Sequence, residues 1–346
     1  CQTFRMRKLT ATLCLTIAVL LGSIGVSASG DFQKGLTAYD NGDYANALLE
    51  WKPLAEQGHA VAQYNLGQMY RQGIGVPKND KTAMKWYKLA AEQGYANAQF
   101  NLGLTYYKGQ GVPQDYKTAV KWYRLAAEQG DASAQNNLGQ MYRLGQGVPQ
   151  NDKTAVKWYK LAAEQGYANA QYNLGVMYEK GRGVSQNDKT AVKWYRLAAE
   201  QGYATAQNGL GLMYHEGKGV SQNDKTAVKW YILAAQQGFA RAQYNLGVMY
   251  ATGRGVSQND KTAVKWWKLA AEQGYANAQT NLGVMYDNGR GVSQNDKTAV
   301  KWYRLAAEQG YATAQNGLGV MYAYGSGVLK DYIRAHMWGN LAAMNG

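Results

Sequence analysis

Residues 167–202 read YANAQYNLGVMYEKGRGVSQNDKTAVKWYRLAAEQG. Two helical patterns flank a glycine loop in this stretch. In the first, at 100° per residue, Ala170, Leu174, Met177 and Tyr178 gather on one arc, while Tyr172, Asn173, Val176, Glu179 and Lys180 fall on the other. In the second, Leu197, Trp194, Ala198, Ala191, Tyr195, Ala199 and Val192 span an apolar arc of roughly 220°. Only Lys189, Lys193, Arg196 and Glu200 share the remaining polar strip. So wide an apolar arc needs cover on more than one side, which a lone hairpin lacks and stacked copies supply. Gly181 and Gly183 permit the positive φ that ends the first helix. Ser185 or Asp188 is expected to cap the second. Gly175 sits inside the first helix, where glycine costs about 1 kcal/mol relative to alanine. Its place there predicts a close backbone approach between the paired helices.

Self-similarity at a fixed period decides the architecture. Trp86, Trp122, Trp158, Trp194, Trp230, Trp266, Trp302 and Trp338 recur every 36 residues. Gly67, Gly103, Gly139, Gly175, Gly211, Gly247, Gly283 and Gly319 keep the same step. Eight 36-residue copies therefore fill 59–346 without an insertion, and a shorter copy, 31–58, stands in front. The fold class this predicts is all-α, a solenoid of tandem helix–turn–helix repeats. One unit cannot bury its own apolar arc, so stability is expected to pass between nearest neighbours.

Residues 1–28 read as a leader. Met6-Arg7-Lys8 gives a positive start, Leu9 to Val26 a mostly apolar run, and Val26-Ser27-Ala28 the small residues of a cleavage site. That is the order of a secretory signal peptide, with Met6 as the expected start, and it places the protein in the periplasm or outside the cell. Both cysteines, Cys1 and Cys14, fall in this leader, so the rest of the chain has no disulfide framework or thiol chemistry. His59, His215 and His336 share no metal-like spacing, and no cofactor is expected. The net charge is +14, or +11 once Arg5, Arg7 and Lys8 are discounted, which favours anionic partners.

The motif Asn173-Leu174-Gly175-x-x-Tyr178, then Gly181-x-Gly183-Val184, then Ala191-x-x-Trp194-Tyr195-x-x-Ala198-Ala199-Glu200-x-Gly202, resembles the Sel-one-like repeat family, a relative of the tetratricopeptide repeats. The likeness covers 59–346. The first copy, with Asn41-Gly42-Asp43-Tyr44, looks more like a plain tetratricopeptide unit, and the last departs with Ala335-His336-Met337-Trp338. The resemblance implies a right-handed α/α superhelix that serves as an adaptor or scaffold in protein complexes. One branch of the family is described as penicillin-binding or β-lactamase-like and carries paired cysteines in each repeat. They are absent here, so that activity is not carried over.

Copies within one chain can be compared with each other. Four columns of the first helix vary most, beginning with Tyr64, Phe100, Asn136, Tyr172, Asn208, Tyr244, Thr280 and Asn316. All four fall on its exposed arc, which in related superhelices lines the concave groove. Variation there over a uniform core is what a readout surface on a fixed scaffold, or drift at solvated positions, would show. Beside the first column runs a nearly constant amide, Asn65, Asn101, Asn137, Asn173, Asn245 and Asn281, replaced by Gly209 and Gly317 in two copies. It can hold a peptide backbone by donor and acceptor together, or bond between helices within the fold. The groove reading makes other proteins or peptides the partners, with no small-molecule substrate.

The alternative surface is the basic strip of the second helices, for example Lys153, Lys157 and Lys160, then Lys189, Lys193 and Arg196. Stacked about 10 Å apart, such strips form a ridge suited to cell-wall glycans, lipid headgroups or other polyanions, nucleic acid being the least favoured. A solvated face is the plain reading, since Glu164-type residues partly neutralise it. The Trp column suggests core packing rather than sugar stacking. Catalysis finds little support: there is no Ser-x-x-Lys, no phosphate loop, and carboxylates recur once per repeat in equivalent exposed places, where a catalytic site needs a unique constellation.

Overall fold

The computed structural model describes residues 30–346, so the leader lies outside the described residues. The described residues form 18 α-helices and no strands, an all-α repeat solenoid, divided into two compact units. The first runs to Asp131 and holds α1 (Phe32–Asp40), α2 (Tyr44–Glu56), α3 (Ala60–Gln72), α4 (Asp80–Glu92), α5 (Ala96–Lys108) and α6 (Tyr116–Glu128). The second, Ala132–Gly346, begins with α7 (Ala132–Leu144), α8 (Asp152–Glu164), α9 (Ala168–Lys180), α10 (Asp188–Glu200), α11 (Ala204–Glu216) and α12 (Asp224–Gln236). It continues through α13 (Ala240–Thr252), α14 (Asp260–Glu272), α15 (Ala276–Asn288), α16 (Asp296–Ala307), α17 (Ala312–Tyr324) and α18 (Tyr332–Asn345). None of the described helices is long and apolar enough to cross a membrane.

The hairpin α9–α10 shows how the repeat is built. Gly181 ends α9 in the left-handed region at φ 63°, and its N–H bonds back to the Met177 carbonyl. The cap of α10 is neither of the residues expected. Asn187 takes the extended backbone, and its Oδ1 accepts from the Thr190 N–H at 2.9 Å. That leaves Asp188 as the first helical residue, where a carboxylate sits well on the helix dipole. Gly183, also at positive φ, lies where a Cβ would come within 2.4 Å of the Asp152 backbone in the preceding repeat. The glycine loop therefore wedges against the start of the neighbouring helix α8.

Gly175 makes room for a side chain more than for backbone. A Cβ there would stand 2.7 Å from the Tyr195 ring, against 3.3 Å from the Ala191 carbonyl. The same pairing joins Gly67 to Tyr87, Gly103 to Tyr123, Gly139 to Tyr159, Gly211 to Tyr231 and Gly283 to Tyr303. Gly247 receives Trp267, and in the short first hairpin Gly35 receives Trp51. In every second helix but α18, where Gly339 follows Trp338, the deepest aromatic is thus the residue after the Trp column position. Tyr195 is 2 % exposed, whereas Trp194 is half-buried at the seam, packed on the cluster between α8 and α9 that includes Tyr159 and Leu174. Trp194 thus packs on the core as expected, but at the seam rather than in the joint of its own hairpin. Leu197 and its equivalents, placed on the apolar arc by the wheel, stand partly exposed.

A buried polar ladder ties neighbouring repeats together. Gln171 on α9 is buried, and its Nε2 donates to the Ala163 carbonyl at the end of α8, at 3.2 Å. Its Oε1 accepts from Gln201 Nε2 at 2.8 Å, just past the end of α10. The pattern repeats at Gln207 with Gln237, Gln243 with Gln273, and Gln279 with Gln309. Each amide thereby adds a side-chain donor to a helix-end carbonyl that also accepts a backbone N–H, as Ala163 does from Gly166 at 3.0 Å.

Candidate functional site

The candidate surface is the face of the first helices left uncovered by the second. In the second unit it holds a cavity of about 450 Å³, spanning α9, α11 and α13. Tyr172, Tyr195, Gly209, Tyr244, Tyr275 and Arg241 are among its lining residues. The Tyr172 ring stacks on Tyr195 at 5.5 Å between centroids and meets Tyr203 edge-on at 5.7 Å. On the far side Tyr244 tilts against Tyr275 at 5.3 Å. Charge enters at Glu179, Lys180 and Arg241. Glu179 accepts the Tyr195 hydroxyl proton at 2.5 Å and pairs with Lys180 at 3.7 Å.

The amide column explains why the cavity lies there. Asn173 Nδ2 donates to Asn136 Oδ1 of the preceding first helix, and Asn245 Nδ2 to Asn208 Oδ1, both at 2.9 Å. In the first unit Asn101, itself buried, donates to the Tyr64 hydroxyl at 3.4 Å and to the Asn97 carbonyl at 3.0 Å. These amides bridge neighbouring first helices, a partner that reading one helix at a time does not show. Gly209 has no amide to offer Tyr172, and a Cβ there would be 3.8 Å from the nearest ring atom. The missing side chain leaves the floor of the cavity open.

The remaining groove residues are distributed rather than gathered. Tyr64, in the first unit, tilts against Tyr87 and meets Tyr95 edge-on, and Phe100 tilts against Tyr123. Asn65 and Asn137 are half-buried. Of the residues named from the sequence, the cavity brings together Tyr172, Tyr244 and Asn245, with Asn208, Val176, Glu179 and Lys180 of the variable columns. The first variable column is less open than the wheel implied. Tyr172 and Tyr244 are half-buried, and Asn136, Asn208 and Thr280 are buried, because neighbouring first helices press together along it. Arg241, Gly209 and Tyr275 were not singled out for the site by sequence reasoning. The signal available for Gly209 was its departure from the amide column.

Burial governs the ionisation of the rings. The Tyr195 hydroxyl is pushed well above the ordinary phenol range, first by burial and then by its bond to Glu179. Burial raises Tyr172 and Tyr244 as well. They are neutral donors and stacking surfaces at physiological pH, with no proton to give up. Among the described residues no group of three or more His, Cys, Asp or Glu is placed to hold a metal ion.

On the opposite face Lys153, Lys157, Lys160, Lys189, Lys193 and Arg196 are all exposed. Lys160 reaches Glu164 at 3.7 Å, Lys193 lies over the Trp194 ring at 5.7 Å, and Arg196 donates to the Tyr214 hydroxyl at 2.9 Å.

Uniform hairpins joined by shared amides, with their variation concentrated on one face, define a repeat solenoid whose working part is a surface. The chain belongs to the Sel1 repeat family: the Sel1 repeat matches eight consecutive segments, 60–95, 96–131, 132–167, 168–203, 204–239, 240–275, 276–311 and 312–346. Among solved structures the chain is similar to a protective antigen present in uropathogenic Escherichia coli strains that displays an SLR fold. Identity is 33%, coverage is 90% of this chain and 79% of that one, and the TM-score is 0.67. It is also similar to a Sel1 repeat protein from Oxalobacter formigenes, at 35% identity, 86% coverage of each chain and a TM-score of 0.66. No curated protein matches the chain. Sel1 repeat proteins generally act as protein-interaction scaffolds and are typically non-enzymatic.

Proposed function

We propose that this chain is an exported scaffold that captures an extended peptide segment of a partner protein along the first-helix face. One bulky side chain of that segment enters the cavity beside Gly209. The observation that carries this reading is the cavity itself. It lies where the column of bridging amides is interrupted, and it is walled by Tyr172, Tyr195, Tyr244 and Tyr275. Aromatic walls supply contact area at little entropic cost, and pockets of this kind hold the anchor residues of an interface. Half-buried tyrosine hydroxyls and the charges of Arg241 and Glu179 orient what enters. Export rests on the leader at 1–28.

Selection of a random peptide library on the purified chain tests the reading. Peptides of one shared motif are expected, and Gly209→Asn should abolish their binding while the melting curve stays in place. Selected peptides that bind Gly209→Asn and Tyr172→Ala as tightly as the parent would refute it. An alkaline phosphatase fusion after Ala28 tests the export step, with activity outside the cytoplasm as the expected result.

A further inference from the structure

The outward strip of the second helices changes character slightly in α12 and completely in α18. In α8, α10, α14 and α16 it carries Lys, Lys and then Lys or Arg at three fixed positions, with Glu at the fourth, as in Lys189, Lys193, Arg196 and Glu200. In α12 the third and fourth positions are Ile232 and Gln236. In α18 the same four positions are Ile333, Met337, Asn340 and Met344. Ile333 is 83% exposed, Met344 81% and Met337 46%. These positions also face outward in the interior repeats, so their exposure owes nothing to what lies beyond α18. At i, i+4 and i+11 the three side chains form one stripe along a single helix face. Leu329, 90% exposed, precedes it in the adjoining loop. Partly exposed leucines, Leu161, Leu197, Leu233, Leu269 and Leu305, run beside the cations of the strip.

From this juxtaposition we infer that the outward face of the second unit docks on a bilayer bearing anionic phospholipids. The Lys and Arg ridge lies over the headgroups, and Ile333, Met337 and Met344 enter the acyl boundary. Charge complementarity selects this occupant. Exposed cations of one sign are drawn to an anionic leaflet, and an apolar stripe beside them adds insertion of the kind amphipathic surface helices show. A second copy of the chain fits less well. α18 spans only about 21 Å at 1.5 Å per residue, too short to approach the roughly 800 Å² per partner of a stable interface. Bringing two such faces together would also oppose two basic ridges. Part of the ridge charge is already engaged, by Glu164 with Lys160 and Glu272 with Lys268, both as exposed pairs that an anionic surface can outcompete.

Flotation with vesicles tests the inference, using protein expressed from Gly30 onward, without the leader read at 1–28. The vesicles are phosphatidylcholine alone, or phosphatidylcholine with about 30 mol % phosphatidylglycerol to set an anionic surface potential. The parent should float with the anionic vesicles only, and raising salt to about 0.5 M should release it as the screening length shrinks. The variant Ile333→Ser/Met337→Ser/Met344→Ser should lose binding about tenfold or more, as burial of apolar groups in the boundary is removed. Independently, Lys189→Glu/Lys193→Glu on α10 should lose at least about tenfold, each charge near the surface being worth about fivefold. Both should keep the parent's helicity. Parent protein that does not float, or variants that float like the parent, would overturn the proposal. So would capture of soluble heparin without flotation, which would assign the ridge to glycans. A change of sedimentation in the serine variant without vesicles would overturn it too, assigning the stripe to self-association.

Discussion

Tyr172 and Tyr195 stack on each other, yet they belong to regions with opposite rules. Tyr195 sits in the joint of a hairpin, over Gly175, and its column is aromatic in seven repeats: Tyr87, Tyr123, Tyr159, Tyr195, Tyr231, Trp267 and Tyr303. Tyr172 sits 5.5 Å away on the first-helix face, and its column runs through Tyr, Phe, Asn and Thr. The joint is hemmed in: an atom added at Gly175 meets a ring at 2.7 Å, whereas one added at Gly209 meets nothing closer than 3.8 Å. Close packing holds the joint column to a single shape, whereas Tyr172's column, pressed between neighbouring first helices, still admits Tyr, Phe, Asn or Thr. The lesson is that tolerance, more than exposure, separates scaffold from reading face.

The hardest way to break that contrast is in the joint. Tyr195→Ala should cost about 3–5 kcal/mol, the range for removing a buried aromatic, and chemical unfolding followed by circular dichroism will measure it. Because stability passes between neighbours, hydrogen exchange should quicken first in α9 and α10. The ladder comes next. Gln171→Leu removes two buried hydrogen bonds, to the Ala163 carbonyl and from the Gln201 amide, at about 0.5–1.5 kcal/mol each, read in the same melts. Arg182→Ala removes a half-exposed bidentate pair to Asp152, with bonds of 3.0 and 3.1 Å, and should cost at most about 1 kcal/mol. Gly209→Asn should move stability by no more than about 0.5 kcal/mol while ending peptide binding, the smallest effect on folding and the sharpest division between the two columns.

Alkali gives the comparison a titration. Burial raises the phenols of Tyr87, Tyr195, Tyr231 and Tyr303 above their unfolded value near 10. A folded pKa above the unfolded one means the stability is whole below pH of about 10 and is lost as pH climbs toward the folded value, because only the unfolded chain releases the proton. Tyrosinate absorbance from these four rings should therefore appear together with loss of helicity, in one cooperative step. Joint tyrosines that titrate near 10 with the helices intact would contradict their burial.

The fold was legible because its signals are periodic. The 36-residue step of tryptophan and glycine, the two helical wheels and the glycine loops each point to stacked hairpins, as found. What escaped the sequence concerns relations between elements. One wheel cannot tell which of two adjacent aromatics, Trp194 or Tyr195, faces the partner helix and which faces the next repeat. Asn187 was passed over as cap because Ser185 and Asp188 offer similar oxygens, and only backbone geometry separates them. Gln171 and Gln201 read as ordinary polar residues until the neighbouring helix end supplies the carbonyl they serve. The amide column looked available for a ligand until Asn136 and Asn208 appeared as its partners. Of the candidate site, Tyr172, Tyr244 and Asn245 were visible as varied or flanking positions. The cavity was not, since it is made by an absent side chain at Gly209.

The glutamine ladder has a consequence for how such a chain changes over generations. Each rung joins residues whose separation is tied to the repeat, as 30 positions are between Gln171 and Gln201. Excising residues 168–203 would bring Gln207 to the Ala163 carbonyl that Gln171 now serves, and the cut would heal with the same chemistry on both sides. A deletion that is not a whole multiple of 36 residues would leave the rung at the cut without its matching partner. The array is therefore free to lengthen or shorten by recombination between copies, in whole units and in nothing smaller.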